Sequence, residues 1–138
     1  MNIEPGNNRK GSFRCLIVED NTQAAEIMTI FFARSGIASE TAENGQEGLR
    51  MILDNPLGYD AVFADLQMPV MSGFEMMKQI RESNIPSAKT IPIIAMSGTS
   101  GISVGDLTSG FDYFLKKPFE MRRLAEIIQE VWQLSKVD

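Results

Sequence analysis

Short apolar runs alternate with stretches of helical periodicity along this chain, and nothing else in the sequence restricts its fold as strongly. Residues 13–18, 60–64 and 91–96 are strand-length and almost wholly apolar, and 37–41 and 113–115 complete the strand candidates. Between them, Asn21 caps a helix that turns Ala24, Ile27, Met28 and Phe31 inward and ends near Gly36. Asn44 opens a second helix, with Leu49, Ile52 and Leu53 inward and Pro56 as its stop. Gly73 begins a third, with Met76, Met77 and Ile80 on one face, and Lys116-Lys117-Pro118 leads into a last one bearing Leu124, Ile127, Ile128 and Val131 beside Trp132. Strand and helix in strict alternation require a parallel sheet, because a parallel crossover needs a helix to return the chain. Right-handed crossovers then cover both faces, which predicts a doubly wound α/β domain of about five units.

The 138 residues suffice for one core, and they divide into a polar leader (1–12), one domain (13–134) and a short tail (135–138). Lys and Arg number 13 against 18 Asp and Glu, a net charge of -5 with no dense basic run, so direct nucleic-acid binding is not expected. The absence of histidine removes the commonest general base and metal ligand, leaving carboxylates, hydroxyls and lysines for any chemistry. Cys15, the single cysteine, sits in an apolar run and reads as a small core residue. The nine methionines read as core filling. No apolar run approaches a membrane span and the leader lacks a signal-peptide core, so a soluble, cytoplasmic protein is expected.

Glu19-Asp20, Asp65, Ser97 and Lys117 all fall at or just beyond the carboxyl end of a predicted strand. In open α/β sheets that edge is where ligands bind. Taken singly, Glu19-Asp20 could cap a helix, Asp65 could close an Asx-type turn before Pro69, and Ser97 and Lys117 could be loop and surface residues. Taken together, three carboxylates repel unless a cation shares their site, and a hard divalent ion with oxygen ligands suits them. Magnesium, or manganese in its place, keeps several waters and takes phosphate oxygens, which makes phosphate the implied ligand. Lys117 and Ser97 would then steady a transferring phosphoryl group, and Asp65 would be free to attack phosphorus as the nucleophile.

Glu19-Asp20, Asp65 with Met68-Pro69 and Ser72-Gly73, Ser97, and Lys117-Pro118 occur here in an order and spacing that resembles the response-regulator receiver domain of two-component signalling, over about residues 13–134. The resemblance implies a five-stranded flavodoxin-like sheet in the order 2-1-3-4-5. It implies Asp65 as phosphoacceptor and magnesium bound by Asp20, Asp65 and the Gln67 carbonyl, with Glu19 helping through water. It implies Ser97, Gly98 and Lys117 around the phosphoryl group, and Ser97 with Phe114 as the switch. The expected partners are a sensor histidine kinase or a histidine phosphotransfer protein and a downstream protein target. In the family, the surface from the fourth helix to the fifth carries dimer or target contacts. The remaining residues leave no room for an effector domain, so a stand-alone phosphorelay protein with slow autodephosphorylation is expected.

The chain departs from that pattern at Gly98, where the family usually has alanine, and over residues 98–110, where glycine, serine and threonine stand in place of a fourth helix. Each interior glycine costs a helix about 1 kcal/mol relative to alanine, so that helix is expected to be short or irregular. Three other readings compete. A haloacid-dehalogenase-like phosphatase would need a second aspartate where Gln67 stands. A flavin-binding flavodoxin would need a Ser/Thr/Gly-rich loop after the first strand. A degenerate receiver would bind proteins without phosphorylation.

Overall fold

The computed structural model describes residues 13–98 and 110–137. The chain runs β1 (Arg14–Val18), α1 (Thr22–Arg34), β2 (Ala38–Ala42), α2 (Gly45–Asp54), β3 (Ala61–Asp65), α3 (Gly73–Arg81), α4 (Pro86–Lys89), β4 (Ile93–Ser97), β5 (Tyr113–Lys116) and α5 (Met121–Val137). The strands form one parallel sheet in the order β2-β1-β3-β4-β5, the doubly wound topology the sequence predicts.

Alternation of side chains along the central strands divides the interior into two cores. Cys15, Ile17, Phe63, Ile94 and Met96 face Met28 and Phe32 of α1 and Leu124, Ile127, Ile128 and Val131 of α5. Leu16, Val18, Val62, Ala64, Ile93 and Ala95 face Ile52 of α2 and Met76, Met77 and Ile80 of α3. The rings of Phe32 and Phe63 lie 5.3 Å apart and join α1 to the middle strand. Asn21, Asn44 and Ser72 cap α1, α2 and α3 by accepting the amides of Ala24, Glu47 and Glu75. Gly36 follows α1 at φ 78, the left-handed value that a glycine beyond a helix end supplies without a Cβ clash.

Four local expectations change. α1 buries Ala25, Met28 and Phe32, while Ile27 is 52% exposed, so the predicted inward stripe is displaced around the helix. Apolar residues occur on both sides of α1 and satisfy the helical period either way; the fit of Phe32 against Phe63 selects the face. β3 extends to include Asp65, and β4 starts at Ile93, after Pro92, which has no amide to give the ladder. The single turn α4 has no counterpart in the sequence reading, although Pro86 at a first helical position signals it. α5 reaches Val137, into the stretch read as tail. The segment expected to replace a fourth helix, residues 99–109, lies outside the described residues, as does the leader. Among the described residues, no helix is long and apolar enough to cross a membrane.

Candidate functional site

The strand order reverses between β1 and β3, with β2 on one side and β4 and β5 on the other, so the carboxyl ends of these two neighbours flank a crevice. Glu19 follows β1, held in place by its amide on the Ala42 carbonyl at 3.0 Å, and its Oε2 accepts the Asn21 amide at 3.1 Å. Its carboxylate is buried; Asp20, next in the chain, is exposed. Asp65 ends β3, 7% exposed, and its Oδ1 accepts the Gln67 amide at 3.0 Å. The Asx-type turn is therefore present, and it leaves the other carboxylate oxygen facing the crevice. Ser97, at the end of β4, is buried, and its carbonyl accepts the Lys117 amide at 2.8 Å. That bond launches the Lys117 side chain across the crevice, where Nζ donates to Glu19 Oε1 at 2.6 Å and to Asp65 Oδ2 at 3.0 Å. Carboxylate oxygens of Glu19, Asp20 and Asp65 all lie within 4.8 Å of one another.

Among the described residues, three carboxylates against one ammonium leave the crevice with an excess of negative charge, and the three carboxylates offer hard oxygens. This set fits a divalent cation of the magnesium class. Burial, reinforced by Asp65, pushes the Glu19 carboxyl above its ordinary 4.5 despite the lowering effect of Lys117. Burial lowers the Lys117 ammonium, but its hydrogen bonds to Glu19 and Asp65 outweigh burial and raise it above 10.5. Because folded Glu19 holds its proton more tightly than the unfolded chain does, the stability this gives is complete below 4.5 and is lost as pH rises through the raised value. In divalent-free buffer, the stability of the parent relative to Glu19→Gln therefore falls as pH rises from 4.5 toward neutrality. Urea titrations at stepped pH check this, and a difference that stays constant with pH refutes it.

The loop after Asp65 turns within a few residues. The Met71 amide donates to the Pro69 carbonyl at 2.7 Å, closing a γ-turn centred on Val70 at φ 70. A β-branched residue in that region is strained, at a cost of about 1–3 kcal/mol. Val70 is 75% exposed, so its side chain recovers little of this by burial. Val70→Asn, which tolerates the left-handed region, is expected to stabilise the protein by about 1 kcal/mol in urea unfolding; an unchanged midpoint would show the turn unstrained. Beyond it, α3 begins so close to β3 that a Cβ on Gly73 would stand 2.3 Å from the Asp65 carbonyl oxygen. Only glycine allows this approach.

A family model described as the response regulator receiver domain matches residues 15–129. The chain belongs to the response regulator receiver family. Relatives include hybrid signal transduction histidine kinase A of Dictyostelium discoideum, 36% identical over 118 residues, which cover 83% of this chain and 5% of that protein. The cell cycle response regulator CtrA of Brucella ovis is 30% identical over 125 residues, 89% of this chain and 51% of the relative. The chain thus spans about half the length of CtrA and a small fraction of the hybrid kinase. A CheY-like receiver domain from Methylobacillus flagellatus superposes with TM-score 0.75 at 32% identity, over 86% of this chain and 98% of that one. The receiver domain of Saccharomyces cerevisiae Ssk1, solved with the histidine phosphotransfer protein Ypd1, superposes with TM-score 0.79 at 31% identity, over 91% and 92%.

Within this receiver, folding gathers Glu19, Asp20, Asp65, Ser97 and Lys117 at one sheet edge, as their strand-end positions predict. Gln67 is exposed beside them and its amide is bonded to Asp65. At Gly98 a Cβ would meet nothing nearer than the Lys117 Cβ at 3.7 Å, an ordinary contact, so alanine would fit there. Phe114, read as the switch aromatic, lies on the outward side of β5 and is 36% exposed. The sequence reading assigned Lys117 to phosphate alone and missed its present place between two carboxylates. Gly73 was placed by its sequence at the start of the third helix and in the Ser72-Gly73 pair, but the reason it must be glycine, the approach of α3 to the Asp65 carbonyl, is visible only in the fold.

Proposed function

We propose that this receiver accepts a phosphoryl group on Asp65 from a phosphohistidine of a sensor kinase or phosphotransfer protein, with magnesium or manganese present, and signals through a protein target. The observation that carries the reading is Asp65 itself: a buried carboxylate at the switch-point crevice, one oxygen tied to the Gln67 amide and the other reached by Lys117. In the transfer, an Asp65 oxygen bonds to phosphorus as the P–N bond to imidazole breaks; the electron pair goes to the nitrogen, which takes up a proton. A carboxylate needs no general base for this, which suits a chain without histidine.

Asp20, Asp65 and the Gln67 carbonyl would hold the cation, with Glu19 acting through water. The ion's contribution is charge neutralisation on the phosphoryl oxygens. Lys117, drawn off the carboxylates, pairs with a phosphoryl oxygen, while the Ser97 hydroxyl and the Gly98 amide donate to the others. Ser97 and Phe114 would report the phosphoryl group to the outer surface. The Ssk1 receiver solved with Ypd1 supports a histidine phosphotransfer protein as the class of donor. We place the exchange in the cytoplasm, with hydrolysis of the acyl phosphate slow.

Incubation with acetyl phosphate and magnesium should add one phosphoryl mass to the intact protein and none to Asp65→Asn. An unmodified parent under conditions that label another receiver would instead favour the phosphorylation-independent binding module.

A further inference from the structure

Arg81, the last residue of α3, lies at the opposite end of the sheet from the acidic crevice, and its guanidinium gathers the segments that enter β4 and β5. Nε donates to the Gly110 carbonyl at 2.8 Å; one terminal nitrogen donates to the Lys89 and Ile91 carbonyls at 2.9 and 2.7 Å. The other pairs with Asp112 Oδ2 at 2.9 Å. That same carboxylate oxygen accepts the Ile93 amide at 2.8 Å, and the Asp112 amide returns a bond to the Ile93 carbonyl at 2.9 Å. Asp112 therefore grips both backbone groups of the first residue of β4, and Arg81 grips Asp112.

The strand so fixed is short. β5 spans Tyr113–Lys116 at the edge of the sheet and, among the described residues, pairs only with β4, from Ile94↔Tyr113 to Ser97↔Lys116. The bond from the Lys117 amide to the Ser97 carbonyl holds its far end, and beyond it Nζ reaches Glu19 and Asp65. An edge strand with few ladder bonds is held in register by its ends.

We infer that Arg81, acting through Asp112, is a positioning residue for Lys117: it locks the start of β5 against β4 and so fixes where the lysine emerges at the acidic crevice. The inference rests on the role given to Lys117 above. The planar guanidinium fork meets three carbonyls and a carboxylate at once, which a lysine cannot do.

The test uses Arg81→Met and the milder Asp112→Asn in the whole chain, with Lys117→Met as reference. Amide exchange of the metal-free protein reads the lock directly. In Arg81→Met, residues 112–117 should exchange about ten-fold faster or more while β1 and β3 keep their protection, the local opening expected of an edge element. Calorimetric magnesium affinity should rise and the rate of adduct formation from acetyl phosphate should fall, as in Lys117→Met but less strongly. General destabilisation would lower both. Arg81→Lys should not restore the parent behaviour. Uniform acceleration of exchange in all strands overturns the inference, as does faster exchange in β5 with parent-like affinity and rate. If Arg81→Met fails to fold, Asp112→Asn carries the same expectations and the same refutations. Parent-like affinity and rate in Lys117→Met would overturn the role given to that lysine, which is a separate failure from that of the lock.

Discussion

Lys117→Met should bind magnesium about ten-fold more tightly than the parent while accepting a phosphoryl group from acetyl phosphate roughly 10²-fold more slowly or worse. Both effects follow from one ammonium group. Its Nζ stands 2.6 Å from Glu19 and 3.0 Å from Asp65, where a divalent cation must also find its oxygens. Charges of one sign a few ångströms apart repel by about 4 kcal/mol at the effective dielectric of a protein surface. The ammonium relieves most of this by swinging outward on its flexible stem, so only about 1.4 kcal/mol, a factor of ten, is expected to reach the binding constant. In the transfer step the same charge stabilises the phosphoryl oxygens, and losing one such donor typically costs about 10²–10³ in rate. Methionine keeps the stem's bulk and volume, so the change isolates charge. Calorimetry for the ion and intact mass against time for the adduct check the pair. A parallel fall in both would show that Lys117 supports the crevice rather than competing within it.

Gly73→Ala should also impair both the fold and the site. The added Cβ would lie 2.3 Å from the Asp65 carbonyl oxygen and 3.0 Å from its carbon, and both are backbone atoms without a rotamer to yield. Either α3 retreats from β3, opening the core around Met76 and Met77, or the end of β3 moves and carries the Asp65 carboxylate with it. Overpacking of this kind costs about 1–3 kcal/mol. A displacement of about 1 Å at a reacting group is worth roughly 10² in rate. Urea unfolding and the rate of adduct formation separate the two responses. Lost stability with an unchanged rate would mean that the helix moves and the nucleophile does not; no change in either would refute the close approach.

The strand and helix alternation was sufficient to predict the architecture, because a parallel sheet buried on both faces forces near-continuous apolar strands such as those ending at Val18, Asp65 and Ser97. The same reasoning predicted the caps at Asn21 and Asn44, where a side chain serves its own helix end and needs no distant partner. It failed on α1, where Ile27 turned outward, because a helix apolar on two sides has no preferred face until its neighbours arrive. It also passed over Arg81, whose partners at Lys89, Gly110 and Asp112 are carbonyls and a carboxylate from segments that no local pattern connects to α3.

The sequence by itself determined which chemistry the crevice could hold: an acidic pair, a lone aspartate, a hydroxyl and a lysine, each set at a strand end by the apolar run before it. Tertiary structure decided how they stand toward one another. Glu19 and Asp65 became neighbours because β1 pairs with β3, and Lys117 came between them because β5 lies one strand beyond β4. Strand order is set by how whole faces of side chains pack, a property of the assembled sheet that no stretch of sequence carries by itself.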